Sequence, residues 1–374
     1  MKSHLQSFTI RIKTLGPLFI GSGREINKKE YAYIPVGQRV CIIDLQRFSR
    51  FLNDKGLEDR YITFMLGNQN DLYQWLYNCR VTDEEVNSFT AYEISAGNAL
   101  KSDHPLRDIE LFLKDNYGQP YLPGSSLKGA IRTAILAKML ASQRNQSLRD
   151  LRKWEEKLRR SEWAGKNALG WETERVEADL LHTLNLDNNK YNAVNSVMKG
   201  LQISDSRSAS TTDLILCPKI DLTLAGKEIA VPTFREAIRP GVTLLSQITL
   251  DPLILEQAGI DMGFIESAIR EFANMQEQYF FSAFLKLPAN TDNSKAEPGA
   301  EIYLGGGAGY LSKTVAYPMG GKEAISFVAL LMQKQFSRGH HDKDMELGVS
   351  PHVLKGTYYD NKFYRMGRCS VEIA

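Results

Sequence analysis

The sequence predicts an α+β fold: a ferredoxin-like core, the order shared with RRM-type folds, carrying large helical insertions. Three observations predict it. Strands of strict alternation stand near both ends of the chain, two long amphipathic helices lie far apart in sequence, and short β-rich runs fall between them. With the insertions removed, the order is β-α-β-β-α-β.

The first strand is Ser7–Lys13, with Phe8, Ile10 and Ile12 on one face and Thr9, Arg11 and Lys13 on the other. This period of two marks a half-buried strand. It runs through Gly16-Pro17 and Leu18-Phe19-Ile20 into Gly21-Ser22-Gly23, read as a turn with Arg24 at its tip. Tyr31–Pro35 and Arg39–Ile43 read as a hairpin around Val36-Gly37-Gln38, and Leu45 to about Tyr77 turns helical. Ile109–Lys114 is a short strand ended by Asn116-Tyr117-Gly118. Tyr121-Leu122-Pro123-Gly124 then breaks the chain before a strong amphipathic helix, Ser125 to about Ser142. From Gln143 to Lys199 the charged residues suggest helices forming a solvated lobe rather than core. Leu201–Ser204 and Gly241–Leu250 resume strands, and Met262–Leu285 is helical by its 3.6-residue apolar spacing. After a polar loop, Pro288 to Pro298, Glu301–Leu304 reads as a strand entering a glycine-rich loop. A helix from about Lys322 to Phe336 and an alternating strand, Arg368–Ile373, follow. Either Glu301–Leu304 or Arg368–Ile373 completes the core sheet. The expected division is an N-terminal region, 1–260, with helical insertions at about 45–90 and 143–199, and a C-terminal region, 261–374, that completes the core.

Composition narrows the function classes. The 374 residues are 43% hydrophobic and 24% charged, which excludes disorder and coiled coil. With 46 Lys+Arg against 44 Asp+Glu, the formal net charge is +2, so binding through bulk charge of the histone kind is out. A locally basic face remains compatible with that balance. Cys41, Cys79, Cys217 and Cys369 show no CxxC pair, so neither a zinc ribbon nor a disulfide framework is expected. No apolar run reaches the length of a membrane span and the first residues carry no apolar signal-like stretch, so the expectation is a cytoplasmic protein with no membrane partner.

Three stretches could carry chemistry. In Pro123-Gly124-Ser125-Ser126-Leu127-Lys128-Gly129-Ala130-Ile131-Arg132, Ser125 or Ser126 could cap the helix, and free amides at its start would attract an anion. Lys128 and Arg132 stand at i and i+4 on one face. Gly129 costs about 1 kcal/mol in a helix interior and needs a reason, such as close approach of another backbone. The functional reading is a phosphate cradle; the bland one is a capped helix with a solvated basic edge. In the second stretch, Gly305, Gly306, Gly307 and Gly309 precede Tyr310 and Lys313. Their amides could form an anion nest, Tyr310 could stack on a base and Lys313 could meet a phosphate. The order is neither a Walker A motif nor G-x-G-x-x-G, and a flexible loop is the competing reading. Third, Gly21, Ser22, Gly23 and Arg24 offer a backbone contact, although such turns are common.

Two enzymatic alternatives compete with RNA binding. Ser125-x-x-Lys128, Ser204-Asp205-Ser206 and Lys313-Thr314-Val315 follow the order of the S-x-x-K, S-D-N and K-T-G motifs of serine acyl-transferring enzymes, but the last two are broken. A metal-dependent RNase would use Asp205 or the run His340-His341-Asp342-Lys343-Asp344. Adjacent histidines point to different sides of most backbones and no H-E-x-x-H spacing is present, so that run reads as a solvated loop and Asp205 as a turn cap. No metal or other cofactor is expected, and nothing in the pattern advertises catalysis.

Four stretches together resemble a known family. Lys13–Gly23 with Glu30-Tyr31-Ala32-Tyr33 resembles the N-terminal motif of the RAMP proteins, RNA-binding subunits of CRISPR effectors. Tyr121–Arg132 is similar to their Pro-Gly-Ser-Ser/Thr-x-Lys-Gly-x-x-Arg motif, Leu201–Ser206 to their Ser-Asp strand end, and Leu304–Tyr310 to their glycine-rich loop. Order and spacing over nearly the whole chain are most similar to the subunit-five family of Csm-type (type III-A) effector complexes. The resemblance implies a RAMP-type ferredoxin-like core. It implies a subunit that binds crRNA, caps the complex at the crRNA 3′ end, and contacts a related RAMP backbone subunit and the small subunit. The three motifs above would then lie near RNA. The related backbone subunit cuts target RNA with an Asp in the loop after the N-terminal glycine motif; here Arg24–Glu30 contains none. A non-catalytic role follows from the resemblance, with crRNA maturation left to a recruited host nuclease.

Overall fold

Ile10 and Ile12 disappear completely from solvent, as their alternation predicts, because their face of the strand joins the buried core cluster while Arg11 and Lys13 face out. The computed structural model describes residues 4–97, 99–100, 106–160, 169–296, 299–336 and 340–374. Its strands are β1 (Gln6–Thr14), β2 (Gly21–Ile26), β3 (Tyr31–Ile34), β4 (Arg39–Ile43), β5 (Thr90–Ser95), β6 (Ile109–Phe112), β7 (Leu201–Ile203), β8 (Leu214–Thr223), β9 (Glu228–Ile238), β10 (Thr243–Leu250), β11 (Ala300–Tyr303), β12 (Val353–Tyr359), β13 (Lys362–Arg365) and β14 (Arg368–Ile373). The helices are α1 (Leu45–Lys55), α2 (Glu58–Leu66), α3 (Leu72–Asn78), α4 (Asp83–Ser88), α5 (Gly124–Ser142), α6 (Arg144–Arg160), α7 (Gly170–Leu181), α8 (Pro252–Leu255), α9 (Met262–Tyr279), α10 (Ala316–Gly320), α11 (Ala324–Gln335) and α12 (Asp344–Leu347).

The first sheet runs β11-β14-β1-β10-β7, antiparallel throughout. Taken with α5 and α9, the strands β1, β7, β10 and β14 give β-α-β-β-α-β, with the last strand beside the first: the ferredoxin-like arrangement. Both candidate closing strands are present. β14 takes the core position next to β1, and β11 extends the edge beyond it. Leu127, Ile131 and Ile135 of α5 and Ile265, Ala268 and Ile269 of α9 share one buried cluster with the strands. Each fully buried Ile or Leu there contributes about 1.5–3 kcal/mol. Lys138 of α5 pairs with Glu271 of α9 at 2.8 Å, locking the two helices side by side.

A second sheet, β2-β6-β9-β8-β5-β4-β3, carries β12 beside β8 and β13 beside β12. The expected hairpin and the strand at 109 belong to it. Helices α1–α4 cover β3 and β4 with Phe48, Leu52, Phe64 and Trp75. Two expectations are corrected here. Gly21-Ser22-Gly23 is not a turn: it is the start of edge strand β2, bulged against β6. Nor is the charged segment after Gln143 merely a solvated lobe. Leu151, Trp154 and Leu158 form a stripe on α6 that packs against Phe327, Val328 and Leu331 of α11 in a second core. High charge on three sides of a helix conceals a narrow apolar fourth. All four cysteines are free thiols. Among the described residues no helix is long and apolar enough to cross a membrane.

Candidate nucleic-acid interface

The start of α5 is built against the end of β7. A Cβ on Gly124 would lie 2.2 Å from the Ile203 carbonyl oxygen, so only glycine lets the two backbones meet. Asp205 accepts a hydrogen bond from the Gly124 amide at 2.8 Å. Ser206 binds the Leu122 amide through its hydroxyl and the Leu122 carbonyl through its own amide. The expected cap therefore differs. Pro123 is the N-cap, without a side-chain bond, and neither Ser125 nor Ser126 caps the helix. The Ser126 and Leu127 amides are turned to the Pro123 carbonyl. Asp205 supplies the negative charge that the helix dipole attracts, so the anion site at the first amide is already filled from within.

What remains open is the outer face one turn on. Ser125 and Gly129 are exposed, Lys128 and Arg132 half-buried. Arg132 forms an ion pair with Glu177 of α7. Among the described residues no carboxylate forms an ion pair with Lys128. Burial holds its ammonium below the usual lysine range, with the Arg132 charge adding to the effect. Among the described residues, nothing beyond its chain neighbours and its own helix backbone lies within 4 Å of a Cβ built on Gly129. The face thus pairs a cation lacking a counter-charge with a helix glycine that internal packing does not need.

The glycine-rich loop packs against a different part of the chain. The Gly306 amide donates to the Phe19 carbonyl at 2.8 Å, which brings the loop against the residues leading into β2. Gly307 abuts Arg235, whose guanidinium stacks over the Phe19 ring and pairs with Glu110 at 2.6 Å. Gly309 abuts the stem of Lys355, which pairs with Asp221 at 2.7 Å. Nearby Lys219 has no ion-pair partner among the described residues. Burial and the Arg235 charge lower its pKa. Arg235, Lys219 and Lys355 come from β9, β8 and β12, and no local motif marks them; only the second sheet gathers them. Tyr310, expected as a stacking surface, packs against the second core, where its hydroxyl accepts from Thr314 at 2.9 Å and burial pushes its pKa up to about 12. Lys313 is exposed, and the turn it belongs to contacts α5. On β2, Ser22 donates to the Leu111 carbonyl, while Ser22 and Arg24 line a cleft of ≈ 660 Å³ that Lys114 and Tyr92 also border.

Several groups named for the serine enzyme are engaged with the backbone. A lowered lysine pKa suits a general base, but the accompanying groups serve the backbone: Asp205 holds Gly124, Ser206 holds Leu122, and Thr314 caps the Ala316 amide. Glu30, in the loop after β2, accepts from the Asn27 amide at 2.7 Å. The run at 340–344 is not a solvated loop throughout. His341 and Asp344 are buried, and His352, eleven residues on and unmarked by any motif, joins them.

Comparison with known proteins follows the same lines. The family model of the RAMP superfamily matches residues 11–309. The CRISPR system Cms protein Csm5 of Mycobacterium tuberculosis H37Rv is 28% identical over 402 aligned residues, covering 100% of this chain and 99% of that protein. Its counterpart in Enterococcus italicus is 28% identical over 395, covering 98% and 97%. In fold, the chain is similar to one in a cryo-EM Csm–crRNA–target RNA ternary complex of a type III-A CRISPR–Cas system, with TM-score 0.71, 20% identity, and 98% and 100% of the two chains covered.

Proposed function

The chain belongs to the RAMP superfamily, and from that membership we propose that it is the crRNA-binding subunit that caps a type III-A CRISPR ribonucleoprotein at the crRNA 3′ end. In this role it supports complex assembly and crRNA maturation in antiviral defence without a nuclease centre of its own. Its partners are crRNA, a RAMP backbone subunit, the small subunit and a recruited host nuclease. Full-length similarity to Csm5 proteins supports the reading, as does the absence of an Asp from Arg24–Glu30.

The observation that carries RNA binding is the outer face of α5. Lys128 is half-buried with no ion-pair partner among the described residues, and Gly129 beside it leaves room for a close backbone. A phosphate supplies the charge and a ribose-phosphate chain the close approach. Gly21–Arg24, Gly124–Arg132 and the loop at Gly305–Gly309 with Lys313 lie along this RNA path, and Lys219 adds a further cation to it. The test is RNA affinity across a salt series for the wild type and Lys128→Ala. Loss of one phosphate contact lowers the log–log salt slope by about 0.7 for single-stranded RNA. Equal affinity and equal slope would remove the assignment. Purification of the tagged protein from its host, with sequencing of bound RNA, tests the capping role: guides ending at this subunit support it, and an RNA-free protein overturns it.

A further inference from the structure

Away from that face, a group of metal-ligating side chains among the described residues lies between α11 and β12. Asp344 is fully buried, and no Lys or Arg forms an ion pair with it among the described residues. Its carboxylate is met by nitrogen and hydroxyl groups instead. His341 Nδ1 lies 2.9 Å and Ser350 Oγ 2.6 Å from Oδ2, and His352 Nδ1 lies 2.6 Å from Oδ1. The ligand atoms of His341, Asp344 and His352 all lie within 4.8 Å of one another. The surroundings fix these groups. Tyr317 donates to the Ser350 carbonyl, Gln333 of α11 holds the His341 carbonyl at 3.2 Å, and Val349 is fully buried beside them.

We propose that His341, Asp344 and His352 form a binding site for one divalent transition-metal ion, best suited to zinc. A buried carboxylate needs a compensating charge, and no Lys or Arg among the described residues pairs with this one. Two imidazole nitrogens and one carboxylate oxygen are a borderline donor set that favours zinc over magnesium or calcium, which prefer all-oxygen shells. At zinc bond lengths of about 2.0–2.1 Å, tetrahedral donors stand about 3.3 Å apart. The imidazoles therefore need to part from the carboxylate by about half an ångström. A ring that coordinates the ion through Nδ1 carries its proton on Nε2. Ser350 Oγ or a water completes four ligands. The ion would join the segment after α11 to the start of β12, a structural role that touches none of the groups on the RNA-facing helix.

The test uses the full chain with its affinity tag removed. It is stripped with EDTA, incubated with zinc, desalted and measured for zinc per chain. The expected result is about one zinc per wild-type chain and near none for His352→Gln, with the circular dichroism spectrum unchanged. Cobalt(II) in place of zinc should give the visible d–d bands of a tetrahedral site in the wild type alone. EDTA should lower the wild-type Tm and leave that of His352→Gln unmoved. Asp344→Asn, which keeps the shape of the carboxylate, should also lose the ion. If that variant fails to fold, His352→Gln decides. A wild type that retains no zinc above the buffer blank, or a His352→Gln chain that retains as much as the wild type, overturns the site and leaves a hydrogen-bonded triad.

Discussion

Two glycine motifs in this protein are alike in composition and opposite in environment. At Gly305 the backbone is left-handed, and a Cβ would fall 2.1 Å from the Phe19 carbonyl oxygen. That glycine is demanded by the chain's own packing. At Gly129, in the middle of α5, the space around a Cβ is open and the conformation is helical. Nothing outside its own helix among the described residues asks for it, although it costs helix stability. A glycine-rich run is thus a poor sign of a binding loop by itself. The informative glycine is the one whose own fold gives it no reason.

This contrast can be broken by substitution. The largest effect should come from Gly305→Ala, which must move the Phe19 carbonyl while holding a strained backbone; we expect a loss of about 3 kcal/mol or more, read as a lower denaturation midpoint. Gly124→Ala, wedged against Ile203 and Ser204, should cost a similar amount, measured the same way. Lys128→Ala should leave stability nearly unchanged and reduce RNA affinity about tenfold, the worth of one charge-assisted contact, in a filter-binding or anisotropy titration. Gly129→Ala should separate the two properties: stability rises by about 1 kcal/mol while RNA affinity falls. If affinity holds while stability rises, the open face is not an RNA contact. Arg24→Ala, on an exposed strand edge, should produce the smallest change, under threefold in affinity with an unchanged Tm.

The ferredoxin-like sheet was legible because its members are half-buried and keep a period. β1 alternates, and α5 and α9 repeat their apolar residues every three or four positions. Of the second sheet, the β3–β4 hairpin and β6 were legible and its long strands β8 and β9 were not. Leu214–Cys217 is buried on both faces and so shows no alternation, Pro218 then breaks the register of β8 against β9, and the exposed tip beyond it looks like loop. Gly21-Ser22-Gly23 has the composition of a turn, and only pairing with β6 makes it a strand. Within the candidate site, Lys128 and Gly129 could be singled out by helical spacing. The Asp205 clamp on Gly124 bridges 81 residues, and Lys219, Arg235 and Lys355 meet through three strands, so no window of sequence contains either group.

β14 lies between β1 and β11, with Ile12 paired to Val371. On the ribosome this has a temporal consequence. β1 emerges among the first segments, yet the strand that covers one of its edges follows after nearly the whole chain, roughly 20–70 s later at about 5–20 residues per second. Throughout that interval one edge of β1 is unpaired, so β14 acts as a late closing step for the core sheet.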